Sequence, residues 1–164
     1  MRKSARYLAQ ASIIAALYAV ITHMQNILLP GSATWAIQFR ISEALCVLAC
    51  FTPAAAVGLA VGCLIFNLTF AAALPLDFLL GTLATYLAAK GMWLCRKHPL
   101  PGLFLPALTN SILVGLELSI YIGGGFWFNA ACVAIGEAAV LLTLGSVLYY
   151  AIRKRNLDTR LFSL

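Results

Sequence analysis

Long apolar stretches, broken at short intervals by proline, glycine or basic clusters, dominate the pattern along this chain. The first covers residues 8–29 and stops at Pro30-Gly31, a dipeptide that favours a turn over continued helix. The second, 38–51, carries Arg40-Ile41-Ser42-Glu43-Ala44-Leu45. It is short for a full crossing of a hydrocarbon layer at about 1.5 Å per helical residue. Thr52-Pro53 has the form of an N-cap followed by proline in the first turn, and predicts a third helix over 53–73. Pro75 and Asp77 open a fourth, 76–95, which Arg96-Lys97-His98-Pro99 closes. A fifth helix follows over 103–122, then a turn at Gly123-Gly124-Gly125 and a sixth helix over 127–152. The expected architecture is an all-α integral membrane protein, one domain of six transmembrane helices, ending in a basic tail (153–164) that is frayed or surface-bound. No internal repeat or linker interrupts the pattern.

Composition gives the same class, because 63% of the 164 residues are hydrophobic and only 10% are charged. A soluble domain of this size could not hide so much apolar surface, so the excess faces lipid or protein. A formal net charge of +6 raises nucleic acid as a partner, but the positions of the charges exclude it. Arg2, Lys3 and Arg6 precede the first apolar run, Arg96 and Lys97 separate two others, and Arg153, Lys154, Arg155 and Arg160 follow the last. Six crossings place all three clusters, and both termini, on one side, and the loops opposite lack Lys and Arg. Cytoplasmic termini follow from the positive-inside rule. The N-terminus is basic then apolar, like a signal peptide, but without a visible cleavage site it reads as a retained first span. Cys46, Cys50, Cys63, Cys95 and Cys132 show neither metal-ligand nor disulfide spacing and read as small buried helix residues.

Function is then sought in polar residues within the spans, where a charge costs at least about 2.5–3.5 kcal/mol on insertion scales. Four of the five acids lie there: Glu43, Asp77, Glu117 and Glu137, joined by Gln38, Arg40, Asn67 and Asn110. In the expected topology Asn110 and Glu137 sit near mid-membrane and the others in the outer half, which implies a pocket opening outward. Asn110 and Glu117, seven residues apart, share a helix face. Gly58 and Gly62 form a small-x-x-x-small pair on a face away from Asn67. Trp35, Phe39, Tyr121, Phe126, Trp127 and Phe128 surround the expected outer mouth and suit stacking on a flat ring. Plainer readings stand beside these. Arg40 and Glu43 can neutralise each other, Asp77 can be a helix N-terminal acid, and the aromatics can be an interfacial belt. Asn67 and Asn110 can bond across helices for structure alone. Glu117 and Glu137 have no basic residue within helical reach.

The string Ile37-Gln38-Phe39-Arg40-Ile41-Ser42-Glu43-Ala44-Leu45, with Pro53, Gly58, Gly62-Cys63, Asn67-Leu68, Asp77 and Gly81-Thr82-Leu83-Ala84-Thr85, resembles the QueT family. Asn110, Val114-Gly115-Leu116-Glu117 and Gly136-Glu137 are similar to its later motifs, while Ser146-Val147 departs from them. The resemblance implies a substrate-specificity subunit (S component) of an energy-coupling factor importer in a bacterial plasma membrane. Its cargo would be a queuosine precursor, a flat deazaguanine base such as queuine or its aminomethyl or nitrile form. Such subunits have six helices, bind substrate near the extracellular side under the loop after the first helix, and topple in the membrane to release it. They use no cofactor of their own: a transmembrane coupling subunit and two cytosolic ATPases provide the power.

Carried onto this chain, the chemistry of a guanine-like edge asks for a carboxylate opposite adjacent N–H donors, with an amide or Arg for its carbonyl. Glu43 is the first candidate, with Glu137 and Glu117 as alternatives, one of which would meet the ammonium of an aminomethyl cargo. Asn67, Asn110 and Gln38 would supply amide contacts, Arg40 and Asp77 would complete the polar wall, and Trp35 or Trp127 would stack. Ala11, Ala15 and Ala19 form a small-residue stripe like those with which S components dock onto the coupling subunit, although tight packing within the chain would produce the same stripe. A self-sufficient secondary transporter is the alternative reading. An enzyme is disfavoured, because no serine or cysteine nucleophile has a visible base partner and no phosphate-binding glycine loop is present.

Overall fold

In a computed structural model that describes residues 2–32, 37–70 and 73–162, the chain is helical, with no strand among the described residues. Helix α1 (Arg2–Leu28) is followed by a 3-10 helix (Ile41–Cys50), α2 (Ala54–Thr69) and α3 (Asp77–Leu94). A single turn, α4 (Pro99–Gly102), leads into α5 (Phe104–Tyr121). Helix α6 (Phe126–Val140) runs through a π-helical turn (Leu141–Gly145) into α7 (Ser146–Lys154), and α8 (Leu157–Leu161) ends the described chain.

The segment expected as an α-helix over 38–51 is instead a 3-10 helix that begins at Ile41, after an extended Arg40. Geometry explains the difference. Ten residues rise only about 15 Å as α-helix but about 20 Å as 3-10 helix. The tighter winding thus lengthens the shortest segment toward the reach of its neighbours. It also eclipses side chains three apart, which stacks Glu43, Cys46 and Ala49 in one buried row. Arg40 therefore does not share a helix with Glu43, as the sequence pattern had it.

Close backbone contacts set the packing. Gly58 and Gly62 of α2 lie against α1 so tightly that a Cβ on Gly58 would stand 2.6 Å from the Ala11 carbonyl oxygen, and one on Gly62 2.7 Å from that of Ala15. The pairing of 58 with 11 and 62 with 15 makes α1 and α2 parallel. Ala11, Ala15 and Ala19 are 6%, 5% and 7% exposed and pack inside the chain, as the plainer reading of the stripe has it. Gly115 of α5 meets the Ala130 backbone of α6, and Gly136 of α6 seats the Gln38 carbonyl oxygen. A side chain at Gly136 would have no room.

Apolar packing is concentrated at the end that holds both termini, where Leu48, Ala55, Leu59, Met92, Leu103, Leu141 and Ile152 form the core. The basic tail is docked there rather than frayed. The Gln10 side-chain amide donates to the Leu161 carbonyl (2.8 Å), Phe162 stacks on Phe51 at 6.0 Å, and Arg153 pairs with Asp158 at 3.1 Å. Outward faces carry bare apolar side chains such as Ile13, Val20, Ile27, Ile112, Ile120 and Val147. Water would penalise such a surface, and lipid tails would not. Helices α1, α5 and the continuous α6–α7 are each long and apolar enough to cross a membrane. The chain is a helical membrane protein.

Candidate functional site

The opposite half of the bundle is polar inside, and α1 contributes to it through residues the sequence pattern did not single out. Tyr18, Thr22 and Gln25 are all buried, and their spacing of four and then three puts them on one face. Tyr18 donates its hydroxyl proton to Glu43 Oε1, and the Cys46 thiol approaches Glu43 Oε2 at 3.1 Å. Thr22 donates to the Tyr18 carbonyl (2.7 Å) and shares a hydrogen bond with the Ser42 hydroxyl (2.7 Å). Gln25 clamps the chain entering the 3-10 helix: its amide donates to the Phe39 carbonyl, and its Oε1 accepts from the Ile41 N–H (2.8 Å). These bonds fix Arg40 and Glu43 in place. A signal for them existed in the sequence, a polar i, i+4, i+7 line inside an apolar span.

Glu43, first in line for the cargo-binding carboxylate, is fully buried and has both oxygens engaged by Tyr18 and Cys46. Its bonds tie α1 to the 3-10 helix. The open valences lie elsewhere. Glu117 is fully buried, and among the described residues neither of its carboxylate oxygens is met at hydrogen-bond geometry, although the Leu76 backbone and the Asp77 carboxyl lie close to it. Glu137 accepts from the Asn110 amide through Oε1 (2.9 Å), leaving Oε2 buried and unpartnered. Asn67 donates through Nδ2 to the Asp77 carbonyl (2.7 Å) and toward Cys63 Sγ (3.5 Å), while its Oδ1 is likewise unpartnered. Asp77 accepts the Leu74 N–H at 2.9 Å, as a helix-opening acid would, and its charge acts on Glu117.

Arg40 sits amid these groups, buried, with its guanidinium 5.8 Å over the Phe66 ring and one nitrogen 4.0 Å from Cys63 Sγ. Glu43, Asp77, Glu117 and Glu137 all lie within reach of its charge. Four carboxyl groups therefore share one guanidinium in a low-dielectric interior, an arrangement rich in acceptors and poor in donors. Gly81 of α3 lets Asn67 pack closely against that helix, its amide nitrogen 3.0 Å from where a Cβ would be.

The remaining expected residues divide. Gln38 is buried at the edge of this group, with its carbonyl against Gly136. Trp127 does not join it: the side chain is 82% exposed and packs edge-on against Phe126 at 5.0 Å. Phe39, Tyr121 and Phe128 are also exposed, an arrangement that suits an interfacial belt. Trp35 lies outside the described residues. Among the described residues no cluster of His, Cys, Asp and Glu is arranged to hold a metal ion.

The profile of the QueT transporter family matches residues 8–154. The chain belongs to the QueT transporter family. Comparison with curated proteins and with solved structures gives no match. The QueT match takes in every element that contributes to the polar interior, from Tyr18 on α1 to Glu137 on α6. This QueT-family chain is thus a membrane transport protein in which Glu117, Glu137 and Asn67 keep buried acceptor oxygens unmet among the described residues.

Proposed function

We propose that this chain is the substrate-capturing S component of an energy-coupling factor importer, taking a queuosine precursor from outside a bacterial cell. In this reading it crosses the plasma membrane six times as a single domain, with both termini and all three basic clusters in the cytoplasm. Transport is powered by a coupling subunit and two ATPases, and no cofactor is held by this chain.

One observation carries the reading: Glu117 Oε1 and Oε2, Glu137 Oε2 and Asn67 Oδ1 are buried acceptors, on α5, α6 and α2, that no donor among the described residues meets. Leaving such a group unmet costs about 1–3 kcal/mol, and more when it is charged. A donor-rich cargo removes that cost. The edge of a deazaguanine presents a ring N–H beside an exocyclic amine, matched by the two open oxygens of Glu117 in a bidentate pair. Glu137 Oε2 and Asn67 Oδ1 accept further N–H groups, including the ammonium of an aminomethyl precursor, while Arg40 and Gln38 serve the base carbonyl. Asn110 orients Glu137 rather than meeting the cargo first. Asp77 is a positioning acid that braces Glu117.

Reconstituted uptake tests the assignment. Vesicles containing the chain with its coupling subunit and ATPases should accumulate labelled queuine or its aminomethyl precursor only when ATP is inside. Accumulation driven by the chain alone would instead identify a self-sufficient secondary transporter.

A further inference from the structure

Beyond cargo capture, we propose that the terminal end of the bundle holds an anionic phospholipid, its headgroup between Arg6 and Arg160 and one acyl chain in the groove between α1 and α7–α8. Two adjoining depressions build the site. One, of about 360 Å³, is walled by Ile13 and Leu17 of α1, Leu45 of the 3-10 helix, and Leu148 and Ile152 of α7. The other, of about 340 Å³, is lined by Arg6 and Arg160. They share Gln10, Ile13 and Leu161, so the apolar groove runs directly into the basic mouth.

Both walls repeat the same gradient. Arg6, Gln10, Ile13 and Leu17 follow each other at four, three and four residues, one stripe of α1 that passes from charge through amide to hydrocarbon over roughly 16 Å. On the opposite wall Leu148 and Ile152 lie deep, with Arg160 at the mouth. Charge, then polar linkage, then apolar chain is the profile of a phospholipid read from the membrane surface inward. Among the described residues no acid lines either depression, and Asp158, the acidic side chain nearest in sequence, is engaged by Arg153. Two arginines without a neighbouring carboxylate select a negative headgroup over a zwitterionic one.

Native mass spectrometry of the full chain, released from micelles with equal phosphatidylglycerol and phosphatidylcholine, tests this. Each surface arginine is worth roughly fivefold for an anionic lipid, so the wild type should retain one phosphatidylglycerol with roughly 25-fold preference. Arg6→Ala with Arg160→Ala should erase that preference, whereas Arg96→Ala with Lys97→Ala, away from the groove, should keep it. Ile13→Trp, at a position 61% exposed, should expel the lipid whatever its headgroup. Excess inorganic phosphate should not displace it. Equal retention of the two lipids, an unchanged preference in the Arg6/Arg160 variant, or displacement by phosphate would each overturn the proposal. So would an Ile13→Trp chain that keeps its lipid but loses its coupling subunit, since the groove would then belong to a protein partner.

Discussion

Substituting Gly62 with alanine should loosen the whole bundle, although it adds a single methyl group. The new Cβ would lie 2.7 Å from both the Ala15 carbonyl oxygen and Tyr18 Cβ, where ordinary contact starts at 3.4 Å. Helices α1 and α2 would have to part by roughly 0.7 Å, because one of the crowded atoms is backbone and the other is fixed to it. Overpacking of this kind costs about 1–3 kcal/mol, against which the better helix propensity of alanine returns just under 1 kcal/mol. The net loss is about 0–2 kcal/mol. Gly58→Ala meets the same obstacle at the Ala11 carbonyl oxygen (2.6 Å) and Ile14 Cβ (2.9 Å). One separation of the helices relieves both positions, so the double variant should lose less than the sum of the singles. Denaturant unfolding in mixed micelles, followed by circular dichroism, reads these values. A stabilising Gly62→Ala would refute the close α1–α2 packing and return the alanine stripe of α1 to the membrane-exposed surface.

Tyr18→Phe should destabilise the chain by about 1–3 kcal/mol, since it removes the phenolic donor from a buried Glu43 oxygen. The same unfolding measurement checks it, and Tyr18→Phe with Glu43→Leu should recover part of the loss. Gly136→Ala should abolish cargo binding while the chain still inserts into membranes, because a methyl group there displaces the Gln38 carbonyl and the extended entry to Arg40. Equilibrium binding beside a membrane-insertion assay separates the two effects. Trp127→Ala should leave cargo affinity within about twofold, as expected for an 82% exposed side chain at the lipid interface, and calorimetric titration decides it.

Much of this arrangement is legible in the sequence because hydrocarbon imposes simple rules. Proline, glycine and basic clusters mark the helix ends within a few residues for α3, α5 and the continuous α6–α7, and Gly58 and Gly62 announce a packing face. The 3-10 winding of Ile41–Cys50 is not legible, since its advantage arises from the distance the segment must cover among longer neighbours and not from local propensity. Spacing also cannot tell which acid is already occupied. Glu43 is the first candidate by sequence for the carboxylate that meets the cargo, yet Tyr18 of α1 occupies one of its oxygens and Cys46 the other. Glu117 and Glu137 stood out for lacking a base nearby in the helix, and that feature survives folding as unpartnered oxygens. Ala11, Ala15 and Ala19 illustrate the reverse: small residues signal close approach, but only the fold names the partner as α2.

The proposed cargo site turns on the two oxygens of Glu117 and Oε2 of Glu137, left open because a donor-rich base supplies their N–H partners. Its most direct measurement is the affinity of the purified chain for the aminomethyl deazaguanine and for an analogue lacking the exocyclic amine, in wild type, Glu117→Gln and Glu137→Gln. The wild type should bind the analogue roughly 100-fold more weakly, as one charge-assisted hydrogen bond of about 1.5–3 kcal/mol is lost and a buried oxygen is left unmet. In Glu117→Gln that discrimination should shrink to a few-fold, while Glu137→Gln should weaken both bases alike. Equal affinities for base and analogue in the wild type, or unaltered binding in both variants, would contradict it.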